Sequence, residues 1–205
     1  MAIWTDQMLP RIFNVCMNGK PLREIRARVC ADLSGDVVEI GSGSGLNAPY
    51  YPAAVTGVWA VEPSEVARKL ATKRNTKTEV PVHFAGLDGQ RLDLPDSHFD
   101  MALSTWTLCT IPDLDAALRE LLRVLKPGGA YHFVEHGRAP DEKVARFQDR
   151  WEPLHSRIAG GCKVTREFPA EIERAGFAIK EATHYYMKAA PKYGGYVCEG
   201  WAIKP

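Results

Sequence analysis

Nowhere in this 205-residue chain does an apolar run approach the roughly 18–20 residues needed to span a bilayer. The opening segment, Met1 to Pro10, also lacks the basic stretch followed by an apolar core that marks a secretory leader. Cysteine is sparse and scattered. Cys16, Cys30, Cys109, Cys162 and Cys198 contain no C-x-x-C pair, which excludes a zinc knuckle or a disulfide framework and leaves no metal expected. Reduced thiols fit a cytoplasmic protein. Charge of one sign is missing too: 26 basic residues against 25 acidic ones leave a net charge of +1. No field is available to hold a polyanion, so nucleic acid is not an expected partner. The local basic run Arg68-Lys69, Lys73-Arg74 and Lys77 reads as the solvated face of one helix.

What is present is an ordinary globular composition, with 45% hydrophobic and 25% charged residues, long enough for one domain with a real core. The chain is organised around Val37-Val38-Glu39-Ile40-Gly41-Ser42-Gly43-Ser44-Gly45. Its apolar part predicts a short buried parallel strand, and its glycines predict a tight turn into a helix N-terminus. Residues 3–17 predict an amphipathic helix, and a second helix from Pro21 carries Leu22, Ile25, Val29 and Leu33 opposite Arg23, Arg26 and Arg28. The first helix suits a lid over a pocket or a packing helix, with a foot on a membrane surface as a third reading.

Further strands are expected at 57–61, 80–85 (at an edge, because of Pro81), 98–104 and 130–135, with helices at 64–74 and 113–125. Lys126-Pro127-Gly128-Gly129 should stop the second of these helices. Residues 141–158 read as helix broken at Pro153, and 168–175 as another helix. Strands 177–186 and 196–203, joined by a loop at 191–195, close the chain. The expected architecture is an α/β three-layer sandwich with a mostly parallel sheet and a C-terminal antiparallel hairpin. One domain divides into an N-terminal helical segment (1–34), a cofactor-binding core (35–136) and substrate-side helices with the hairpin (137–205).

The glycine pattern is G-x-G-x-G, because position 46 is Leu; a nicotinamide fingerprint needs G-x-G-x-x-G. Glu39, ahead of the first glycine, would repel a pyrophosphate and suits a cationic group such as an α-ammonium. Glu62 ends the second strand and can accept from two ribose hydroxyls. An acidic residue beside the glycines, ribose recognition and no demand for phosphate point to S-adenosylmethionine, with S-adenosylhomocysteine as product.

Val37–Gly45, Val61-Glu62-Pro63, Leu87-Asp88-Gly89, Pro95–Asp100 and Leu125–Gly129 occur in the order seen in class I S-adenosylmethionine-dependent methyltransferases, which the chain resembles over roughly residues 37–136. The resemblance implies a Rossmann-like, seven-stranded methyltransferase sandwich. It also implies that Glu39 holds the methionyl amino end, that Gly41, Ser42, Gly43 and Gly45 line the cofactor, and that Glu62 and Pro63 meet the ribose. Asp88 and Gly89 would meet the adenine, and Ser104 and Thr105 the methionyl chain. Trp106–Ile111, Val134-Glu135-His136 and Gly161–Glu167 are similar to a narrower group, the mammalian alkyl-thiol methyltransferases and their bacterial relatives. Those mammalian proteins begin with a hydrophobic membrane segment that is not expected here.

Methyl transfer needs approach geometry and a dry pocket more than a strong base. Trp106, Cys109, Cys162 and His136 are the candidate pocket residues, with His136 the candidate base or orienting group; its competing reading is a histidine bonded to Glu135 or a backbone carbonyl. Arg11 or Lys20 are further candidates for the methionyl carboxylate. The expected acceptor is a small molecule, with a thiol as the sharper reading. An N- or O-acceptor (lipid headgroup, quinone precursor or other metabolite) is the alternative. A nicotinamide oxidoreductase and a non-catalytic cofactor-binding module are the readings outside the class. Monomer and homodimer both remain open, as does peripheral membrane contact.

Overall fold

Alternation along the strands decides which helix covers which face. Val37 points to the side of the sheet shared by Val58, Leu103, Val134 and Val197, while its neighbour Val38 joins Ala102, Phe133 and Cys198 on the other. The computed structural model describes residues 3–188 and 190–205; Met1, Ala2, Ala189 and the side chain of Ile3 lie outside it. The strands are β1 (Gly35–Ile40), β2 (Val55–Val61), β3 (Val82–Gly86), β4 (Phe99–Thr105), β5 (Leu125–His136), β6 (Ala178–Tyr186) and β7 (Tyr196–Ile203). They form one sheet in the order β3-β2-β1-β4-β5-β7-β6. Pairing is parallel from β3 to β5, and β7 runs antiparallel to both of its neighbours. This is the expected mostly parallel methyltransferase sandwich with its closing hairpin, and β3, carrying Pro81 just before it, is an edge.

The helices are α1 (Leu9–Cys16, preceded by a π-helical stretch Ile3–Met8), α2 (Lys20–Cys30), α3 (Glu65–Asn75), α4 (Leu114–Val124), α5 (Glu142–Ile158), α6 (Phe168–Arg174) and the short α7 (Lys192–Gly195). Side chains cap two of them. Ser64 accepts from the Ala67 N–H at 3.2 Å and Asp113 from the Ala116 N–H at 2.9 Å, satisfying free donors of α3 and α4. On one face α4 lays Leu114, Ala117, Leu118 and Leu121 against β-strand residues, together with Phe168 and Ile172 of α6. On the other, α2 contributes Ile25, Val29 and Cys30.

Four expectations change. No α-helix follows the glycine loop: the chain passes through turns into a three-residue 3-10 segment, Ala48–Tyr50, and Pro52 prevents its continuation. Lys126–Gly129 follows the end of α4 at Val124, as expected, but the strand expected from 130 already includes it: β5 starts at Leu125, and the register shift between Phe99 and Met101 of β4 absorbs the two glycines. Pro153 removes one N–H from α5 without ending it. Arg26 is not on a solvated face. It stands four residues after Leu22 and three before Val29, inside the apolar stripe, and is 4% exposed.

Leu118 has no exposed surface. Replacing it with alanine should lower unfolding free energy by about 2–5 kcal/mol, read from the midpoint of a guanidinium titration at unchanged slope.

Candidate functional site

β1, β2, β4 and β5 end together, because parallel register sets Ile40 beside both Val61 and Ser104, and Thr105 beside Val134. Their C-terminal ends open into a cavity of about 720 Å³, where ligands of open parallel sheets bind. The chain leaves β1 through Gly41, whose φ of +70° is costly for a residue with a side chain. A Cβ there would also lie 2.1 Å from Thr107 Cγ2, so the loop packs directly on the turn after β4. Thr107 Oγ1 donates to the Gly41 carbonyl at 3.2 Å.

Glu62 ties this loop to the end of β2. Its two oxygens accept from the Gly43 and Ser64 N–H groups, each at 2.8 Å. Burial raises its carboxyl above the usual range, with those two N–H groups pulling the other way. The basic run contributes here as well: Arg74 donates to the Ser44 carbonyl and Arg68 to the Glu62 carbonyl at 3.4 Å. Gly45 faces α3, where a Cβ would meet Ala71 at 3.2 Å, and does not line the cavity.

Glu39 lies behind the wall. It is 1% exposed, accepts from Asn47 Nδ2 at 2.6 Å and from the Tyr51 hydroxyl, and feels the positive charge of Arg26. Glu39 does not line the cavity; Asn47 does, and so does Arg26. Its Nη1 donates to Asn47 Oδ1 at 3.3 Å and Thr105 Oγ1 at 3.4 Å, and its guanidinium stacks 4.7 Å from the centre of the Trp106 ring. The Arg26 Nε is buried without a partner among the described residues, as is the Ser42 hydroxyl. Burial pulls the Arg26 pKa down to about 10, against the attraction of Glu39, so it stays charged at neutral pH.

A second carboxylate shapes the turn after β4. Glu135 has no exposed surface and accepts from the N–H groups of Thr107 (3.1 Å), Leu108 (3.0 Å) and Cys109 (3.2 Å), and from Ser104 Oγ (2.9 Å). Gathering three successive amides forces a sharp turn, and Trp106 ahead of them takes φ +51°, rare for an aromatic residue. Glu135 therefore turns away from His136; of the two partners expected for this histidine, Glu135 or a backbone group, it is the Gly194 backbone that bonds to it. His136 lines the cavity; its buried Nδ1 has no partner among the described residues, and burial lowers its pKa.

Of the expected site residues, Gly41, Ser42, Gly43, Glu62, Pro63, Asp88, Gly89, Thr105, Trp106, Cys109, His136 and Cys162 all line this cavity. Ser104 does not: it is fully buried between the Tyr131 hydroxyl (2.7 Å) and Glu135. Asp88 is exposed and caps its own turn, accepting from the Gln90 N–H at 2.9 Å. Arg11 and Lys20, the sequence candidates for a carboxylate partner, do not line the cavity, and Arg26 does. Leu9, Pro10 and Phe13 of α1 and the following Met17 line the cavity, as do Ala159 and Cys162.

The residues suit the cofactor expected from the sequence. A paired-hydroxyl acceptor (Glu62) stands at one end and an under-bonded guanidinium (Arg26) at the other. Between them runs a glycine floor where a Cβ on Gly43 would meet nothing closer than 3.9 Å.

Burial raises the Glu135 pKa from 4.5 to about 7 despite its N–H partners, so the native state holds this proton more tightly than the unfolded chain. Its stabilising contribution is then complete below pH 4.5 and lost as pH rises through 7. Relative to Glu135→Gln, the wild type should lose about 3 kcal/mol of unfolding free energy between pH 4.5 and 7.5. Urea titrations across that range check this, and a flat difference would mean that the amides keep the group ionised.

A family model described as a methyltransferase domain matches residues 38–133. Rat thiol S-methyltransferase TMT1B is 33% identical over 146 residues, which is 69% of this chain and 59% of that protein. Human thiol S-methyltransferase TMT1A is 30% identical over 154 residues, or 72% and 62%. The chain thus spans about three fifths of the length of these relatives. Among solved structures, a SAM-dependent methyltransferase of Thermotoga maritima superposes with TM-score 0.70 at 25% identity over the whole of both chains. The N-methyltransferase NodS of Bradyrhizobium japonicum, in complex with S-adenosylhomocysteine, shares the fold with TM-score 0.75 at 15% identity, covering 98% of this chain and 99% of that one. With this sheet order and glycine loop, the chain belongs to the class I S-adenosylmethionine-dependent methyltransferases.

Proposed function

We propose that this protein transfers a methyl group from S-adenosylmethionine to a small-molecule thiol. One observation supports the acceptor class above all: Leu9, Phe13, Met17, Trp106, Cys109 and Cys162 give the cavity an apolar, thiol-bearing part of its lining. Such a lining takes a compact apolar acceptor. The thiol S-methyltransferase relatives point the same way.

When bound, the cofactor supplies an electrophilic methyl carbon on a sulfonium. The protein binds and orients. Glu62 takes the ribose hydroxyls, and Asp88 and the Gly89 N–H meet the adenine. Ser42, Gly43 and Thr105 line the methionyl path. Arg26 pairs with the carboxylate end, and Glu39 acts on the ammonium end through the Asn47–Arg26 layer. A guanidinium suits a carboxylate because its fork makes two parallel bonds. His136, neutral at pH 7, can accept the acceptor's proton through Nδ1. α1 excludes water by covering the opening.

Loss of the Glu62 carboxylate removes both the ribose acceptor and the anchor of the glycine loop. Glu62→Ala should weaken S-adenosylhomocysteine binding by about 1.5–3 kcal/mol, measured by calorimetry. An acceptor panel of thiols, amines and phenols, read by S-adenosylhomocysteine release, tests the reaction. Thiols should be turned over with a rate that rises from pH 6 to 9 as the thiolate forms. Turnover confined to amines or phenols would reassign the acceptor, and binding without any turnover would leave a cofactor-binding module.

A further inference from the structure

We infer that Cys109 and Cys162 form a reactive dithiol that exchanges with small-molecule disulfides entering the cavity. The two residues are far apart in sequence, yet their Sγ atoms lie 3.5 Å apart. The backbone holds them there: the Lys163 N–H donates to the Cys109 carbonyl at 2.8 Å, and the Glu135 carboxylate fixes the Cys109 N–H. A disulfide needs the sulfurs at about 2.0 Å, so closure requires a side-chain movement of about 1.5 Å. Both residues line the cavity, as does His155, the hydrogen-bond partner of Cys162.

The two thiols are inequivalent. Cys162 is held below the ordinary thiol range by the hydrogen bond shared with Cys109, then by that of His155, with burial pulling the other way. Cys109 is held above it by that same shared bond, by burial and by neighbouring Glu135. His155 is itself raised by Cys162, which fits a thiolate–imidazolium pair. Such asymmetry separates an attacking sulfur from a resolving one.

The reaction balances without a further reagent. The Cys162 thiolate attacks one sulfur of R–S–S–R; the Cys162–S–R bond forms, the ligand S–S bond breaks, and the departing thiolate takes the proton of His155. Cys109 then gives its proton to His155 and attacks Cys162 Sγ. The Cys109–Cys162 bond forms, and the second R–S⁻ leaves with that proton. The protein dithiol is oxidised by two electrons and the ligand disulfide is reduced to two thiols. This exchange goes beyond the methyl-transfer reading and needs no methyl donor, so either can fail without the other.

The test uses the reduced full chain carrying Cys16→Ser, since Cys16 is exposed and would react on its own. Treatment with 2-hydroxyethyl disulfide should release two equivalents of 2-mercaptoethanol per chain, remove two hydrogens from the intact mass, and yield a Cys109–Cys162 peptide after digestion. Cys109→Ser should stop at a mixed disulfide on Cys162, and His155→Gln should slow thiol release at pH 7 by about tenfold. Should either variant fail to fold, the chain with Cys109, Cys162 and His155 intact still tests the inference. An intact mass unchanged, or modification at Cys30 or Cys198 with no Cys109–Cys162 peptide, overturns it.

Discussion

A single buried carboxylate sets the form of the acceptor side of this cavity. Glu135, at the end of β5, collects three consecutive amides and a serine hydroxyl from the turn after β4. Without it, those amides would be buried donors lacking acceptors, at about 1–3 kcal/mol each. With it, Trp106 is driven into a left-handed backbone and its ring is delivered to the cavity, where Arg26 stacks on it. Thr107 is brought under Gly41 and Cys109 opposite Cys162 by the same turn. Glycine floor, aromatic wall and thiol pair thus share one anchor.

The opposite end is organised by polarity. Glu62 and Asp88 present negative charge where β2 and β3 end, and Arg26 presents positive charge between β1 and β4. The wall between is largely backbone and apolar side chain. A ligand with hydroxyls at one end and a carboxylate at the other finds each group's complement, and either half alone finds one. Burial sharpens the contrast, since Arg26 keeps its charge with Glu39 as close counter-charge.

The layout of the fold is legible in the sequence because it rests on local pattern. Val37 and Val38 report two buried faces through simple alternation, Ser64 and Asp113 announce helix starts, and Pro81 marks an edge. The glycine loop and Glu62 are readable because their chemistry is unusual at strand ends. Arg26 is harder, because two signals conflict there: its spacing from Leu22 and Val29 puts it in the apolar stripe, while its charge argues for solvent. Glu135 carries a usable signal, a carboxylate after the apolar run Phe133-Val134, but the amides that hold it come from a turn roughly thirty residues earlier. Ser104 lies near a strand end, which argues for the cavity, and nothing local marks the Tyr131 hydroxyl that draws it inward. The nearness of Cys109 and Cys162 is likewise a product of tertiary contact.

The strand order has a consequence for how the chain reaches this state. β1 sits well inside the sheet, yet it gains its β4 neighbour only when Val37 meets Met101, and β5 is covered only when Ala130 meets Ile203. Pairings of such long sequence separation are slow to close, because loop entropy is lost before contacts compensate. During synthesis, the β1–β2–α3–β3 unit can form first and wait with the β1 edge unpaired until β4 arrives. The cavity, assembled from the ends of β1, β2, β4 and β5, cannot exist until β4 and β5 have joined that unit.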